Sequence, residues 1–460
     1  MAVVISQLMV VLILLCRVFN GQIRQYSTSV DRSSAYQGEA RPEMMEATQT
    51  NTDEESGCFG RCAETGDLGI VNIASEVKVQ DNTHAPSTPT LGETAPTRYL
   101  LSLVQNRTGL GNNVQYRFFK ITVGQAWLHN RTVVAVPFFN NGCSGWGYTL
   151  ESMRPLEKTF DVDKLKELVS VATMDEFKQN CGGKIRLAFQ EDKNKYLYPK
   201  SQDFFEDIYR IHVPPLEDVL PAATIKQLLS SNEKCVALFH CYTDPKNSLP
   251  LALSDDVFST VNRYVKVSKR IRTKVNDEIF PRICDGGRLL AVHYRNRTGE
   301  MCMYNERFTE LCAAPGMMKE NDENAEVLVD VIYDVWLRRG YDCVYVAHPS
   351  WSQKFTDLLS GRISRMKIMN GNDVLKMKLT GMDEYRNDNY YFSLLEQEIC
   401  IYADGFIGWE MSYWDRTVLE QRKEGGKESL TFSELGIQEK VIEQLWKHFN
   451  ESWKENSTDA

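Results

Sequence analysis

The 460-residue sequence has no surplus of basic residues, because 53 lysines and arginines stand against 62 aspartates and glutamates, for a net charge of −9. That balance disfavours a dedicated nucleic-acid binder, which needs a positive face for the phosphate backbone. No apolar run of 18 or more residues occurs beyond the N-terminus, and no Cys-x-x-Cys pair suggests a structural zinc site. What remains is a mildly acidic, multidomain globular chain, since 42% of its residues are hydrophobic.

The N-terminus carries the one long apolar run. Residues 2–16 are apolar apart from Ser6 and Gln7, and Arg17 ends the run. Fifteen residues suit a signal-peptide core better than a full membrane span, so we expect a signal peptide or a short signal anchor over 1–21, with cleavage and retention both open. A disordered polar stem is predicted over 22–96, because residues 27–64 contain no Leu, Ile or Trp to form a core.

Cysteines and sequons also favour the lumen of the secretory pathway, either the endoplasmic reticulum or the Golgi. Twelve cysteines occur, several of which should pair in an oxidising compartment. Attachment to a membrane is expected only through an N-terminal anchor. Five Asn-x-Ser/Thr sequons offer sites for glycans: Asn106, Asn130, Asn296, Asn450 and Asn456.

From residue 97 onward, short β-branched runs alternate with helical spacing, as in the βα units of a parallel sheet. We predict two doubly wound domains, over 97–258 and 259–430, with a C-terminal helix and tail over 431–460. The predicted strands are Tyr99–Val104, Thr132–Pro137, Arg288–His293, Cys343–Ala347, Ile363–Met369 and Gly405–Gly408. The predicted helices are Val114–Leu128, Asn324–Arg339, Ser352–Ser360, Tyr391–Tyr402 and Ser412–Gln421.

The loop after the first strand contains Gly109, Gly111 and Asn112 and leads into a helix. Glycines let backbone N–H groups approach an anion closely, and a helix N-terminus favours negative charge. The alternative is a tight strand-to-helix turn without a ligand.

His293 and Arg295 follow a buried strand in the second block, and strand alternation puts them on the same side. An arginine at that position suits a bidentate clamp on a diphosphate, which would stabilise a departing nucleotide without a metal. The alternative is a surface loop with an incidental basic pair.

A further strand ends at Gly408, and Ser412 is placed to be the N-cap of the next helix. Its hydroxyl and the free N–H groups would suit a phosphate, although ordinary capping explains them equally. The nearby carboxylates Asp404, Glu410 and Asp415 are expected to be structural.

Together these segments resemble the GDP-fucose protein O-fucosyltransferases, most closely the type that modifies EGF-like repeats. The matching motifs are a strand with Gly111-Asn112 and the run Asn130–Pro137; His293-x-Arg295 with Cys302; the strand Val344–Ala347; and Ala403–Gly408 followed by Ser412, Tyr413 and Arg422. Their order and spacing agree over roughly 97–425.

The resemblance implies an α/β fold of the GT-B type, with two doubly wound Rossmann-like domains facing a central cleft. It also implies inverting transfer of fucose from GDP-fucose to Ser or Thr of a lumenal acceptor protein, with EGF-like repeats as candidate acceptors and no metal or other cofactor. By position, Gly111 and Asn112 would lie beside the sugar and phosphates, Arg295 would neutralise the β-phosphate, and His293 would contact the nucleotide. Ser412 and Tyr413 would flank the phosphates and base.

Three positions depart from the family pattern. Gly109 stands where EGF-directed members have an arginine, Pro349 stands where the family has an aspartate, and Asn296 begins a sequon beside Arg295. A catalytically inactive relative that binds a nucleotide sugar or a glycoprotein therefore stays open as an alternative, as does a glycosyltransferase with another donor.

Overall fold

The computed structural model describes nine stretches of the chain: residues 97–103, 112–140, 152–190, 197–221, 229–239, 253–295, 317–349, 353–410 and 412–437. The predicted signal segment and stem (1–96), Val104, Asn106, Gly109, Gly111, Asn296, Cys302 and the C-terminal residues 438–460, which include the sequons at Asn450 and Asn456, lie outside these stretches. None of the described helices is long and apolar enough to cross a bilayer.

A parallel sheet of six strands forms in the first part of the chain. Its strands are β1 (Tyr99–Leu103), β2 (Thr132–Val134), β5 (Val171–Ala172), β6 (Leu187–Gln190), β7 (Leu220–Pro221) and β8 (Cys235–Phe239). Their order is β5-β2-β1-β8-β6-β7. A separate antiparallel pair joins β3 (Phe138–Phe139) to β4 (Met153–Arg154).

A second parallel sheet contains five strands. They are β9 (Leu289–His293), β10 (Cys343–Ala347), β11 (Lys367–Asn370), β12 (Gly405–Gly408) and β13 (Leu430–Thr431). Their order is β11-β10-β9-β12-β13, which is 3-2-1-4-5 when the five are counted along the chain. This is the order of a Rossmann sheet. Successive strands are added on one side of the first strand and then, from the fourth strand on, on its other side, so the order reverses between the first and fourth strands. The switch point therefore lies between the carboxyl ends of β9 and β12.

Fourteen α-helices are described. They are α1 (Asn112–Leu128), α2 (Leu156–Thr159), α3 (Val162–Lys166), α4 (Met174–Cys181), α5 (Leu197–Tyr209), α6 (Asp255–Tyr264), α7 (Lys269–Thr273), α8 (Phe280–Ile283), α9 (Met317–Arg339), α10 (Gln353–Arg362), α11 (Gly371–Leu375), α12 (Asp383–Asn387), α13 (Asn389–Tyr402) and α14 (Tyr413–Glu424). A π-helical segment, Lys274–Ile279, links α7 to α8, and a 3-10 turn covers Leu216–Asp218.

The central strands of the second sheet are buried on both faces. Leu289 and Ala291 of β9 belong to a core that includes residues of α13, whereas Leu290 and Val292 belong to a core with residues of α9 and α10. Parallel strands covered by helices on both sides need near-continuous apolar sequences, and β9 reads LLAVH. The predicted doubly wound α/β architecture is confirmed.

Most predicted elements have the predicted type. The strands Cys343–Ala347 and Gly405–Gly408 are confirmed to the residue. The strand predicted over Ile363–Met369 is wrong in its first half, because the strand is Lys367–Asn370. Ile363 and Met366 are buried, but their backbone bonds are those of turns that end α10. The Ile363 N–H donates to the Leu359 carbonyl oxygen, and the Met366 N–H donates to the Ile363 carbonyl oxygen. The domain boundary predicted at 258/259 stays a prediction, and α6 runs through it.

Two disulfides connect the strands to the segments around them. Cys181 at the end of α4 bonds to Cys235 at the start of β8, and Cys284 bonds to Cys343 at the start of β10. The expectation that several cysteines pair is confirmed, and the bonds indicate an oxidising environment. Of the cysteines described, Cys400 is a buried free thiol, and burial raises its pKa well above the usual value.

Candidate functional site

A buried, hydrogen-bonded histidine–aspartate pair spans the switch point of the second sheet. His293 is the last residue of β9, and Asp415 lies in the first turn of α14, the helix after β12. The imidazole Nδ1 is 2.7 Å from the Asp415 Oδ2, and the two side chains are 7% and 1% exposed. A carboxylate accepts, so Nδ1 carries the hydrogen and the tautomer of His293 is fixed.

The start of α14 is built to bring Asp415 close to the strand end. Ser412 is the N-cap, as predicted, and its Oγ accepts from the Asp415 N–H at 3.5 Å. Gly408 ends β12, and a Cβ there would lie 2.5 Å from the Asp415 Oδ1. Any larger residue at 408 would therefore push the carboxylate away from His293. The carboxylate oxygen Oδ1 is buried and makes no hydrogen bond with a described residue.

Trp414 holds the imidazole from its face. The Trp414 and His293 rings stack with centroids 4.1 Å apart at 21°. The indole Nε1 donates to the Ser393 Oγ of α13 at 3.0 Å, which fixes the position of the indole. Stacking and the bond to Asp415 together leave the His293 ring little rotational freedom.

The N-terminus of α1 is held beside this pair by Asn113. Its Oδ1 accepts from the Gln397 Nε2 of α13 at 2.7 Å and from the Thr417 Oγ1 of α14 at 3.1 Å. Asn112, a predicted site residue, begins α1 and precedes Asn113 directly. The structure thus brings Asn112 towards the switch point of the second sheet, although Asn112 belongs to α1, the helix that connects β1 and β2 of the first sheet.

Charged contacts further along α1 continue this packing. The Glu420 carboxylate of α14 accepts from Arg117 at 3.3 Å and from Lys120 at 3.2 Å. The Lys120 side chain is only 3% exposed, so this ion pair is buried at its ammonium end. The two helix N-termini, those of α1 and α14, are consequently fixed relative to each other.

Arg295 and Tyr413 are half-buried residues beside the pair. Arg295 lies two residues past β9, and Tyr413 is the first residue of α14, where the Arg416 guanidinium lies 5.3 Å from the centre of the Tyr413 ring. Tyr294, between His293 and Arg295, faces the opposite side of the sheet and stacks on Phe355 at 4.1 Å.

The neighbouring strand contributes a second histidine. Ala347, the last residue of β10, pairs in register with His293, and His348 and Pro349 follow it. The His348 Nδ1 lies 2.7 Å from the Pro349 carbonyl oxygen. Burial lowers the pKa of His348, and the positive charge of His293 when protonated lowers it further.

Arg422, part of the matching motif, is structural. It is fully buried, and its Nη1 donates to the carbonyl oxygens of Cys400 at 2.9 Å and Ala403 at 2.6 Å. Those carbonyls lie at the end of α13, just before β12 begins. They are therefore at the amino ends of the strands, whereas His293 is at a carboxyl end. Asp404 also lies at the amino ends of the strands, where its Oδ2 accepts a hydrogen bond from the Leu289 N–H at 2.8 Å.

Sequence reasoning missed Trp414 and expected Asp415 to be merely structural. The available signal was position, because both residues fall in the first turn after the predicted N-cap Ser412. Sequence pattern alone does not show that this turn faces the end of β9. Among the residues that the structure describes, no group of three or more His, Cys, Asp or Glu side chains could hold a metal ion.

Comparison with known proteins adds one decisive likeness. No protein-family model and no curated protein matches the chain. The crystal structure of POFUT1 in complex with GDP superposes with a TM-score of 0.50 and 18% identity, over 74% of this chain and 99% of that one. The chain has the fold of POFUT1. The predicted likeness to the O-fucosyltransferases is confirmed at the level of the fold, including its GT-B-like class.

Two further structures are more distant. POFUT1 in complex with GDP-fucose matches with a TM-score of 0.49 and 18% identity, over 74% of this chain and 98% of that one. NodZ alpha-1,6-fucosyltransferase soaked with GDP-fucose matches with a TM-score of 0.36 and 13% identity, over 71% and 92%.

Proposed function

We propose that this protein transfers fucose from GDP-fucose to a Ser or Thr hydroxyl of an acceptor protein, with inversion at the anomeric carbon and without a metal. The observation that carries the proposal is the His293–Asp415 pair at the switch point of a Rossmann sheet within the fold of POFUT1. Ligands of doubly wound sheets bind outside the carboxyl ends of the strands at such a point.

The reaction itself needs stabilisation of a leaving diphosphate. The acceptor oxygen bonds to the anomeric carbon of fucose, the bond from that carbon to the β-phosphate oxygen breaks, GDP leaves with the electron pair, and one proton is released. Negative charge therefore develops on the diphosphate, where the N-termini of α1 and α14 and the Arg295 guanidinium would act.

Each proposed site residue has a role in that scheme. Arg295 neutralises the β-phosphate, and Asn112 with Gly111 binds beside the sugar and phosphates. His293, held by Asp415 and Trp414, contacts the nucleotide. Ser412 and Tyr413 flank the phosphates and base.

The disulfides and the N-terminal segment support a proposal for the compartment and the class of acceptor. Two disulfides support an oxidising lumen, either the endoplasmic reticulum or the Golgi, and the acceptor would then be a lumenal protein such as one with EGF-like repeats. An N-terminal anchor is the one membrane attachment that we propose.

A second candidate function is a binding module that has lost turnover. It is favoured by Pro349, because the carboxylate that the family resemblance predicts at this position is replaced by a residue without a hydrogen-bonding side chain. Such a protein would bind the nucleotide sugar and release no product.

Donor hydrolysis separates these functions. Purified protein is incubated with GDP-fucose, GDP-mannose and UDP-sugars, with and without EDTA, while release of GDP or UDP is measured and binding of each donor is titrated in parallel. Release of GDP from GDP-fucose alone, unchanged by EDTA, is the expected result. Binding of GDP-fucose without release supports the binding module. Loss of release with EDTA, restored by manganese, contradicts the metal-free scheme.

A further inference from the structure

The His293–Asp415 pair puts a buried negative charge beside the proposed diphosphate site. The Asp415 side chain is 1% exposed, and its Oδ2 lies 2.7 Å from the His293 Nδ1. Because an aspartic acid is far more acidic than an imidazolium, the hydrogen between the two atoms stays on the ring. A ligand at the end of β9 therefore meets an imidazole that has a carboxylate directly behind it.

The other ring nitrogen of His293, Nε2, remains accessible. Among the residues that the structure describes, none forms a hydrogen bond with Nε2, and this atom is not one of the fully buried polar atoms that lack a partner. The exposed 7% of the side chain therefore includes Nε2. The stacked Trp414 ring and the bond to Asp415 hold Nε2 in one orientation at the carboxyl end of β9.

A neutral His293 suits an anionic ligand badly. With its hydrogen on Nδ1, the neutral ring presents a lone pair at Nε2, and this lone pair and the Asp415 charge both repel a diphosphate, whose oxygens only accept hydrogen bonds. An imidazolium carries a hydrogen on each nitrogen, so one can bond to Asp415 and the other to a phosphate oxygen. A carboxylate behind a histidine stabilises that cation, as it does in the triad of serine proteases.

The position of His293 favours the diphosphate as the group that it meets. In a Rossmann sheet the diphosphate lies at the end of the first strand, which here is β9. The first turn of α14, which contains Asp415, adds the positive end of a helix dipole. The buried carboxylate is the one feature there that opposes an anion, and protonation of His293 neutralises it.

The other charged or titratable groups around the pair lie on its neighbouring elements. Arg295 follows His293 by two residues and is a permanent cation. Burial lowers the pKa of His348, after β10, and raises the pKa of the Cys400 thiol of α13, which the Asp415 charge also raises, so both groups are neutral near pH 7. A histidine that solvent can reach changes charge between about pH 5 and 8, so His293 is the group among these that can respond to a ligand.

We propose that His293 takes up one proton when a nucleoside diphosphate binds, and that Asp415 is the positioning residue that makes this uptake possible. The proton comes from solvent and binds to Nε2, which then donates to a phosphate oxygen, and no covalent bond of the nucleotide changes. The proton returns to solvent when the nucleotide leaves. This inference rests on the proposed function, which places His293 against the nucleotide, and it adds Asp415 and the change of charge.

Titration calorimetry of GDP binding in PIPES, HEPES and Tris at pH 7.5 tests the proposal. Each proton that the protein takes up is released by the buffer and adds the buffer's ionisation enthalpy to the measured heat. The variants are Asp415→Asn, which keeps the shape of the side chain and removes its charge, and His293→Gln, which does not ionise. The matched control is His212→Gln, because His212 forms an exposed pair of the same kind with Glu206 at 3.1 Å.

We expect wild type to take up roughly 0.5–1 proton per GDP. The Kd for GDP should consequently rise by up to about tenfold per pH unit above neutrality. Uptake should fall nearly to zero in Asp415→Asn and His293→Gln and should keep its wild-type value in His212→Gln. Nitrogen-15 NMR of histidine-labelled wild type, with and without GDP, reads the charge of the ring even if a variant binds no GDP.

An unchanged heat of GDP binding across the three buffers, with a neutral His293 ring by NMR, would overturn the proposal and leave the proposed function intact. An uptake that persists in His293→Gln or in Asp415→Asn would also overturn it, since the proton would then bind elsewhere or without help from the carboxylate. Wild type that is folded by circular dichroism and binds no GDP would remove the proposed function together with this inference.

Discussion

His293 and Asp415 are joined by a 2.7 Å hydrogen bond although 122 positions separate them in the sequence. The bond ties the end of β9 to the first turn of α14, the two elements that flank the switch point. Because both side chains are buried, each partner would be left unpaired in a low-dielectric environment if the other were removed.

Removal of the Asp415 carboxylate should therefore destabilise the protein. We expect Asp415→Ala to lower the free energy of unfolding by about 3–5 kcal/mol, and Asp415→Asn, which can still accept from Nδ1, to cost clearly less. Urea unfolding measures both. Asp334→Ala removes an exposed pair with Arg338 and should stay within about 1 kcal/mol of wild type. An Asp415→Ala protein with the wild-type midpoint would contradict the pairing.

Arg295 should control turnover more than folding. If its guanidinium neutralises the leaving diphosphate, Arg295→Ala should lower release of GDP from GDP-fucose by orders of magnitude. Arg295→Lys should recover little, since an ammonium cannot replace the planar fork. Steady-state kinetics beside Arg338→Ala, an exposed arginine, gives the comparison. Turnover of Arg295→Ala at the wild-type rate would remove Arg295 from the site.

Glu396 should make the protein less stable as pH rises. Burial raises the pKa of its carboxyl to about 8, from 4.5 in the unfolded chain, while the hydrogen bond from the Tyr345 hydroxyl opposes the shift. Between these values the folded protein holds a proton that the unfolded chain has lost. The stabilisation is thus complete below pH 4.5 and is lost towards pH 8, at about 1.4 kcal/mol per pH unit from this group.

Glu396→Gln should remove that slope, because the amide does not ionise. Glu398, whose pKa burial raises to about 7, contributes with the same sign, so the double glutamine variant should be the least dependent on pH. Urea unfolding from pH 5 to 9 measures the slopes, with Glu167→Gln as the exposed control. Equal slopes for Glu396→Gln and wild type would show that Glu396 is already ionised in the folded protein.

Glycan occupancy should report where the donor binds. Asn130 is exposed at the amino end of β2, away from the carboxyl ends of the strands, and should carry a glycan. Asn296 follows Arg295 directly, and a bulky glycan there would obstruct the proposed site. Glycopeptide mass spectrometry of active protein should find Asn130 occupied and Asn296 empty. Near-complete occupancy of Asn296 in protein that still transfers fucose would place the donor elsewhere.

The second sheet was the easier part to predict from sequence. Its central strands β9, β10 and β12 are continuous, largely apolar runs, and β9 and β12 end at the recognisable residues His293 and Gly408. The outer strands were harder, because β11 reads KIMN and was predicted only in part, and β13 was not predicted. The N-cap Ser412 was also predictable, because a serine before a helical pattern satisfies free N–H groups. Local signals of this kind need no knowledge of what lies across the fold.

The rest depends on contacts between distant segments. β8 is the central partner of β1, yet Cys235–Phe239 is not among the strands predicted from the sequence. Trp414 and Asp415 face His293 only because Gly408 leaves room for the carboxylate. Whether a tryptophan stacks in a core or on a site histidine is decided by that packing, which no local pattern encodes.

A crystal structure of the protein with bound GDP tests the central claim most directly. We expect the diphosphate at the carboxyl ends of β9 and β12, within hydrogen-bonding distance of Arg295 and of the first turn of α14, with His293 still bonded to Asp415. GDP bound elsewhere, with the switch point between β9 and β12 filled by solvent, would contradict the account.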